Sequence, residues 1–86
     1  MQQEDKKKLI KEAAGKILKR LKGDKSLYIL AMEYDISTSL LNSLERGLKD
    51  PQLTTIFKVA EALNVKASEF VRMVEDELPE EITFAG

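Results

Sequence analysis

The stretch from Ser26 to Pro51, SLYILAMEYDISTSLLNSLERGLKDP, constrains the fold more than any other part of this 86-residue chain. Apolar residues recur there at helical intervals in two short runs. Leu27, Leu30, Ala31 and Tyr34 would form the inward face of one, and Leu40, Leu41 and Leu44 that of the other. Only Asp35-Ile36-Ser37 separates them. Ser26 and Ser37 stand where a helix start uses a hydroxyl to accept a hydrogen bond from an orphan backbone N–H. Gly47 follows the second run at the position that favours a left-handed residue. Pro51 starts the next segment soon after. The reading is two short helices, to about Tyr34 and about 38–46, joined by a tight turn.

The flanking sequence completes an all-α pattern. Ile10, Ala14, Ile17, Leu18 and Leu21 form the stripe of a first helix that Gly23-Asp24 ends. A fourth helix, about Leu53 to Leu63, buries Ile56, Ala60 and Leu63, with Asn64 closing it. A fifth, about Ala67 to Leu78, carries Ala67, Phe70, Val71, Val74 and Leu78 on one stripe, and Pro79 stops it. Eighty-six residues make one domain with a single modest core. The organisation expected is a flexible basic arm over 1–8, a five-helix domain over 9–78 and a tail over 79–86. Within the tail, Ile82 and Phe84 alternate with smaller or polar neighbours. That pattern fits a frayed end, and also a short strand or an apolar hook onto a partner chain.

Composition removes several function classes. The chain has no cysteine and no histidine, which excludes disulfides, thiolate chemistry and the usual zinc sites. The commonest general base near neutral pH is missing too. No acidic run has the spacing of a calcium loop, no nucleophile sits beside a base, and no glycine-rich phosphate loop occurs. Neither an enzyme nor a cofactor, metal or small-molecule ligand is expected. No stretch approaches the roughly 18 apolar residues of a membrane span, and Met1 to Lys8 lacks the apolar core of a signal peptide. A cytoplasmic protein is expected.

Charge is unevenly placed. Residues 1–26 carry nine Lys/Arg against four Asp/Glu, residues 27–50 two against four, and residues 51–86 three against seven. Phosphates would be met at the basic first segment, although Lys6-Lys7-Lys8 reads equally well as a solvated helix face. On a helical wheel, Thr38, Ser39, Asn42, Ser43 and Arg46 oppose the three leucines of the third helix. Short hydrogen-bonding side chains of this kind can approach base edges closely, Asn pairing with adenine and Arg with guanine. By composition alone the same face suits plain solvent.

The joint spacing of several marks resembles the Cro/C1-type, or XRE, helix-turn-helix family over about Gly15 to Phe70. The marks are Gly15 in the first helix, Leu30-Ala31, Ile36-Ser37 at the turn, Glu45-Arg46-Gly47 with Pro51, and Ile56 with Ala60-Glu61-Ala62-Leu63-Asn64-Val65. The resemblance implies a compact lambda-repressor-like domain that binds double-stranded DNA as a transcriptional regulator, usually a repressor. It implies base contacts from Thr38, Ser39 and Ser43, with Asn42 sometimes joining them. Ser37 would cap the recognition helix and touch a phosphate. Further phosphate contacts are expected from Lys25, from the N-terminus of the second helix at Ser26 and Leu27, and from Arg46 and Lys49. Glu45 would pair with Lys22 as a structural ion pair, away from DNA. A homodimer through the fifth helix and the tail is expected, because one recognition helix reads too few base pairs.

The chain departs from the family pattern in five ways. The Lys22-Gly23-Asp24-Lys25 loop is about two residues short. Leu27 replaces a glutamine common in the family, Leu48 is apolar in a loop placed near DNA, and the third helix lacks lysine. The run Leu27-Tyr28-Ile29-Leu30-Ala31-Met32 is also too apolar for one helix to bury against one core, so Tyr28, Ile29 and Met32 should cover neighbouring helices or a partner. This leaves a competing reading, a protein-interaction module that keeps the fold without binding DNA.

Overall fold

The computed structural model describes residues 3–85. Among them it forms five helices: α1 (Gln3–Lys22), α2 (Leu27–Tyr34), α3 (Thr38–Glu45), α4 (Leu53–Ala62) and α5 (Ala67–Asp76). There is no strand among the described residues. Helix α1 packs on α3 and α5, α2 packs on α3 and α4, and α4 packs on α5. The shared core is built from Ile17 and Leu18 of α1, Leu30 of α2, Leu41 of α3, Val59 of α4 and Phe70 of α5, all nearly inaccessible.

Local chemistry sets the boundaries. Ser26 Oγ accepts the Tyr28 N–H at 3.1 Å, and Ser37 Oγ accepts the Leu40 N–H at 3.2 Å. Helix α5 starts differently, with the Lys66 N–H donating to the Glu69 carboxylate at 3.3 Å. Helices α2, α3 and α4 end in one way. Asp35, Gly47 and Asn64 take left-handed φ values of 54°, 72° and 61°. The next residue then donates its N–H five residues back: Ile36 to Ala31, Leu48 to Ser43 and Val65 to Ala60, at 3.0–3.1 Å. These bonds satisfy carbonyls that a helix end otherwise leaves open.

Four expectations need correcting. The arm expected to be flexible over residues 1–8 is helical from Gln3 onward, while Met1 and Gln2 lie outside the described residues. Asp5 in the first turn suits the positive helix end, and Lys8 approaches Glu12 at 4.0 Å one turn on. Tyr34, placed on the inward face of α2, is exposed, because the chain leaves the helix at Asp35 and the buried Ile36 takes the core position instead. Val71, placed on the α5 stripe, is exposed as well, since Phe70 and Val74 already fill the contact with the core. Helix α5 stops at Asp76, short of Leu78, which still packs against the core from beyond the helix. After Pro79 the tail makes a turn, with the Ile82 N–H on the Pro79 carbonyl at 3.2 Å. No strand forms there, and Gly86 lies outside the described residues.

Candidate nucleic-acid interface

Helix α3 carries the candidate surface, and its own leucines hold it in place. Leu41 and Leu44 are buried and Leu40 packs partly against the core. The opposite face must therefore point away from the protein. Thr38, Ser39, Asn42 and Arg46 are exposed on it, and Ser43 is half-buried at its edge. Ser43 lends its backbone carbonyl to the turn after α3, accepting the Leu48 N–H. The expected base-reading set therefore shares one face, with Ser43 at its margin.

The expected phosphate-facing residues lie at both ends of this helix and on its neighbour. Ser37 precedes α3, its Oγ committed to the cap. Arg46 and Lys49 are exposed just past α3. Lys25 and Ser26 are exposed before α2, and Leu27 is half-buried. Because Ser26 Oγ serves the Tyr28 N–H, the Leu27 N–H at the first helical position keeps the orphan character that suits an anion.

Two arrangements support α3 from behind. Lys22 Nζ stands 3.1 Å from Glu45 Oε2, with both side chains about four-fifths covered. The contact is one of charge, since its alignment falls outside hydrogen-bond geometry and Oε2 has no hydrogen-bond partner. Both groups therefore face the α1–α3 seam. The second support is Gly15 in α1, which lies directly against the carbonyls of Leu44 and Glu45.

The structure also places residues that sequence spacing did not single out. Gln52, Thr54, Thr55 and Lys58 at the start of α4 line a groove with Ile36, Ser37 and Leu40. Lys58 is thereby an exposed cation near the start of α3. Helical spacing gives its outward direction, but only the packing of α4 brings it near Ser37. The apolar α2 run divides as its length requires. Leu30 and Ala31 are buried, whereas Tyr28, Ile29 and Met32 remain 61%, 51% and 66% exposed. They do not cover a neighbouring helix. Leu48 is exposed too.

Among the described residues no group of three or more acidic, histidine or cysteine side chains could hold a metal ion. Likewise no helix is long and apolar enough to cross a membrane. Two capped helices joined by a tight turn, the second anchored by leucines and polar on its free side, define a helix-turn-helix protein. The sequence model of a helix-turn-helix family matches residues 17–70, well over half of the chain. The protein belongs to that family, the Cro/C1-type or XRE group of DNA-binding regulators, which are generally not enzymes. No curated protein and no solved structure matched the chain.

Proposed function

We propose that this protein is a sequence-specific, double-stranded DNA-binding transcriptional regulator that acts in the cytoplasm as a homodimeric repressor. The observation that carries the reading is the outward face of α3, where Thr38, Ser39 and Asn42 stand clear of the body while Leu41 and Leu44 anchor the helix. Set into a major groove, Thr38, Ser39, Asn42 and Ser43 meet base edges. The α2 start at Lys25, Ser26 and Leu27, the cap Ser37, and Arg46 and Lys49 meet phosphates on either side and set the register. Repression follows from occupying an operator that a polymerase would otherwise use. No catalytic step or cofactor enters.

Dimerisation supplies the specificity that one short helix lacks, by reading two half-sites one turn of DNA apart. Helix α5 and the tail offer the surface, where Val71 and Phe84 are exposed. The test is selection from a randomised duplex pool of about three helical turns at low salt, with the bound DNA sequenced. A palindrome with half-sites about 10 base pairs apart supports a dimeric operator-binding regulator.

A second reading rests on the exposed Tyr28, Ile29 and Met32 of α2. Three large apolar side chains on one helix face form a surface for a protein partner in place of DNA. Absence of any enriched sequence, with the protein shown to be folded, would favour it.

A further inference from the structure

We infer that Gly15 is a positioning residue for DNA recognition: its missing side chain lets the α1 backbone seat the last turn of α3 and so fixes where the base-reading face stands. This deepens the DNA-binding reading and rests on it. A Cβ at position 15 would lie 2.8 Å from the carbonyl oxygens of both Leu44 and Glu45, and 3.2 Å from the Gly47 nitrogen. All three are backbone atoms, so no rotamer change can make room. The helix or its partner would have to move.

The opposite side of the seam is built for the same close approach. Gly47 has φ +72°, and a Cβ there would stand 3.3 Å from the Glu12 Cα. One glycine from each element therefore lets the two backbones meet. Farther along α1, the Lys22–Glu45 pair at 3.1 Å tethers the same turn of α3. The seat thus has two points, a steric stop at Gly15 and a charge tether at Lys22, and both act on residues 44–47. Asn42 and Ser43 lie within one turn of it, so a shift of the seat passes directly to the face that reads bases.

Paired hydrogen bonds to base edges tolerate little displacement, because they weaken steeply with distance and angle. Contacts between flexible basic side chains and phosphates tolerate more. Moving the seat should therefore lower specific binding and leave non-specific binding in place, which a general loss of stability would not do.

The experiment compares the full chain with Gly15→Ala, with Lys22→Met and with Val65→Ala. Val65 follows α4 and packs against the core, outside α1, α3, α5 and the tail. Affinity is measured for the selected duplex and for a scrambled duplex over a salt series. Gly15→Ala is expected to lower the ratio of specific to non-specific affinity by about ten-fold or more. The slope of log affinity against log salt should stay unchanged. Lys22→Met should lower the ratio by a smaller factor, and Val65→Ala should keep it. An unchanged ratio in folded Gly15→Ala overturns the inference. If that variant does not fold, an unchanged ratio in folded Lys22→Met overturns it. If the parent chain prefers no duplex, the DNA-binding reading has failed by itself. The seat is then judged by amide exchange, which Gly15→Ala should speed in α3 ahead of α4. Equal protection of α3 in variant and parent would reject it.

Discussion

Asn42 and Arg46 lie one helical turn apart on the free face of α3, yet they should report on DNA in different ways. The Asn42 amide can offer one donor and one acceptor to an adenine edge, so Asn42→Ala should weaken the selected site by about 1–3 kcal/mol and relax preference at one base pair. Arg46, past the last turn, should meet phosphate. Arg46→Ala should weaken all duplexes alike and reduce the salt slope by about 1. Titration of both variants on matched and mismatched duplexes over a salt series separates these outcomes, and equal binding by Asn42→Ala on the selected site would remove its base contact. Residue identity can also mislead. Lys6, Lys7 and Lys8 are the same letter three times, yet Lys6 is 5% exposed and its two neighbours are exposed. Successive helical positions differ by about 100° in direction, and position 6 lies on the stripe that continues through Ile10 and Ala13.

The helices begin and end for reasons written in single residues. Ser37 closes the start of α3 through its hydroxyl, and α3 is only eight residues long, too short to be stable on propensity alone. Ser37→Ala should cost about 1 kcal/mol of folding free energy, read as a lower urea midpoint with unchanged slope. A loss of only a few tenths would mean that packing of Leu41 and Leu44 alone holds the helix. These starts were legible in the sequence because a hydroxyl cap acts within three residues, and Ser26 and Ser37 both cap where spacing placed them. Gly47 was legible as a helix end for the same local reason. Its closeness to Glu12 was not, since that depends on which backbone crosses the turn. Tyr34 and Val71 failed for a related cause: spacing gives a direction from a helix, and whether anything lies there is decided by the neighbouring element.

At the scale of the molecule, α1 is the spine, a 20-residue helix in a body measuring 40 × 22 × 22 Å. Its last turns hold the end of α5 through Arg20, which donates to Glu77 at 2.6 Å. That hydrogen bond holds the Glu77 carboxyl below its ordinary 4.5, with the charges of Arg20 and Lys16 acting in the same direction and partial burial opposing them. A carboxyl whose value is lowered by folding binds fewer protons in the folded state. Its contribution is therefore present above 4.5 and lost as pH falls through the lowered value. Glu77→Gln should lower the urea midpoint at neutral pH, and the difference from the parent should shrink as pH falls below 4.5. A gap that persists unchanged in acid would mean that the pair contributes nothing through its charge.

Several properties were determined by the sequence itself: five helices, the serine caps of α2 and α3, the turn between them, the leucine anchors of α3 and the polar face opposite them. Each depends on residues within a turn or two, where hydroxyl caps, glycine φ and 3.6-residue spacing act without reference to the rest of the chain. Tertiary structure alone decided which outward faces became neighbours. It set Gly15 against the carbonyls of α3, brought Lys58 toward Ser37, and left Tyr28, Ile29 and Met32 uncovered. Close approach between residues distant in sequence is a property of how helices cross, and no local preference encodes it.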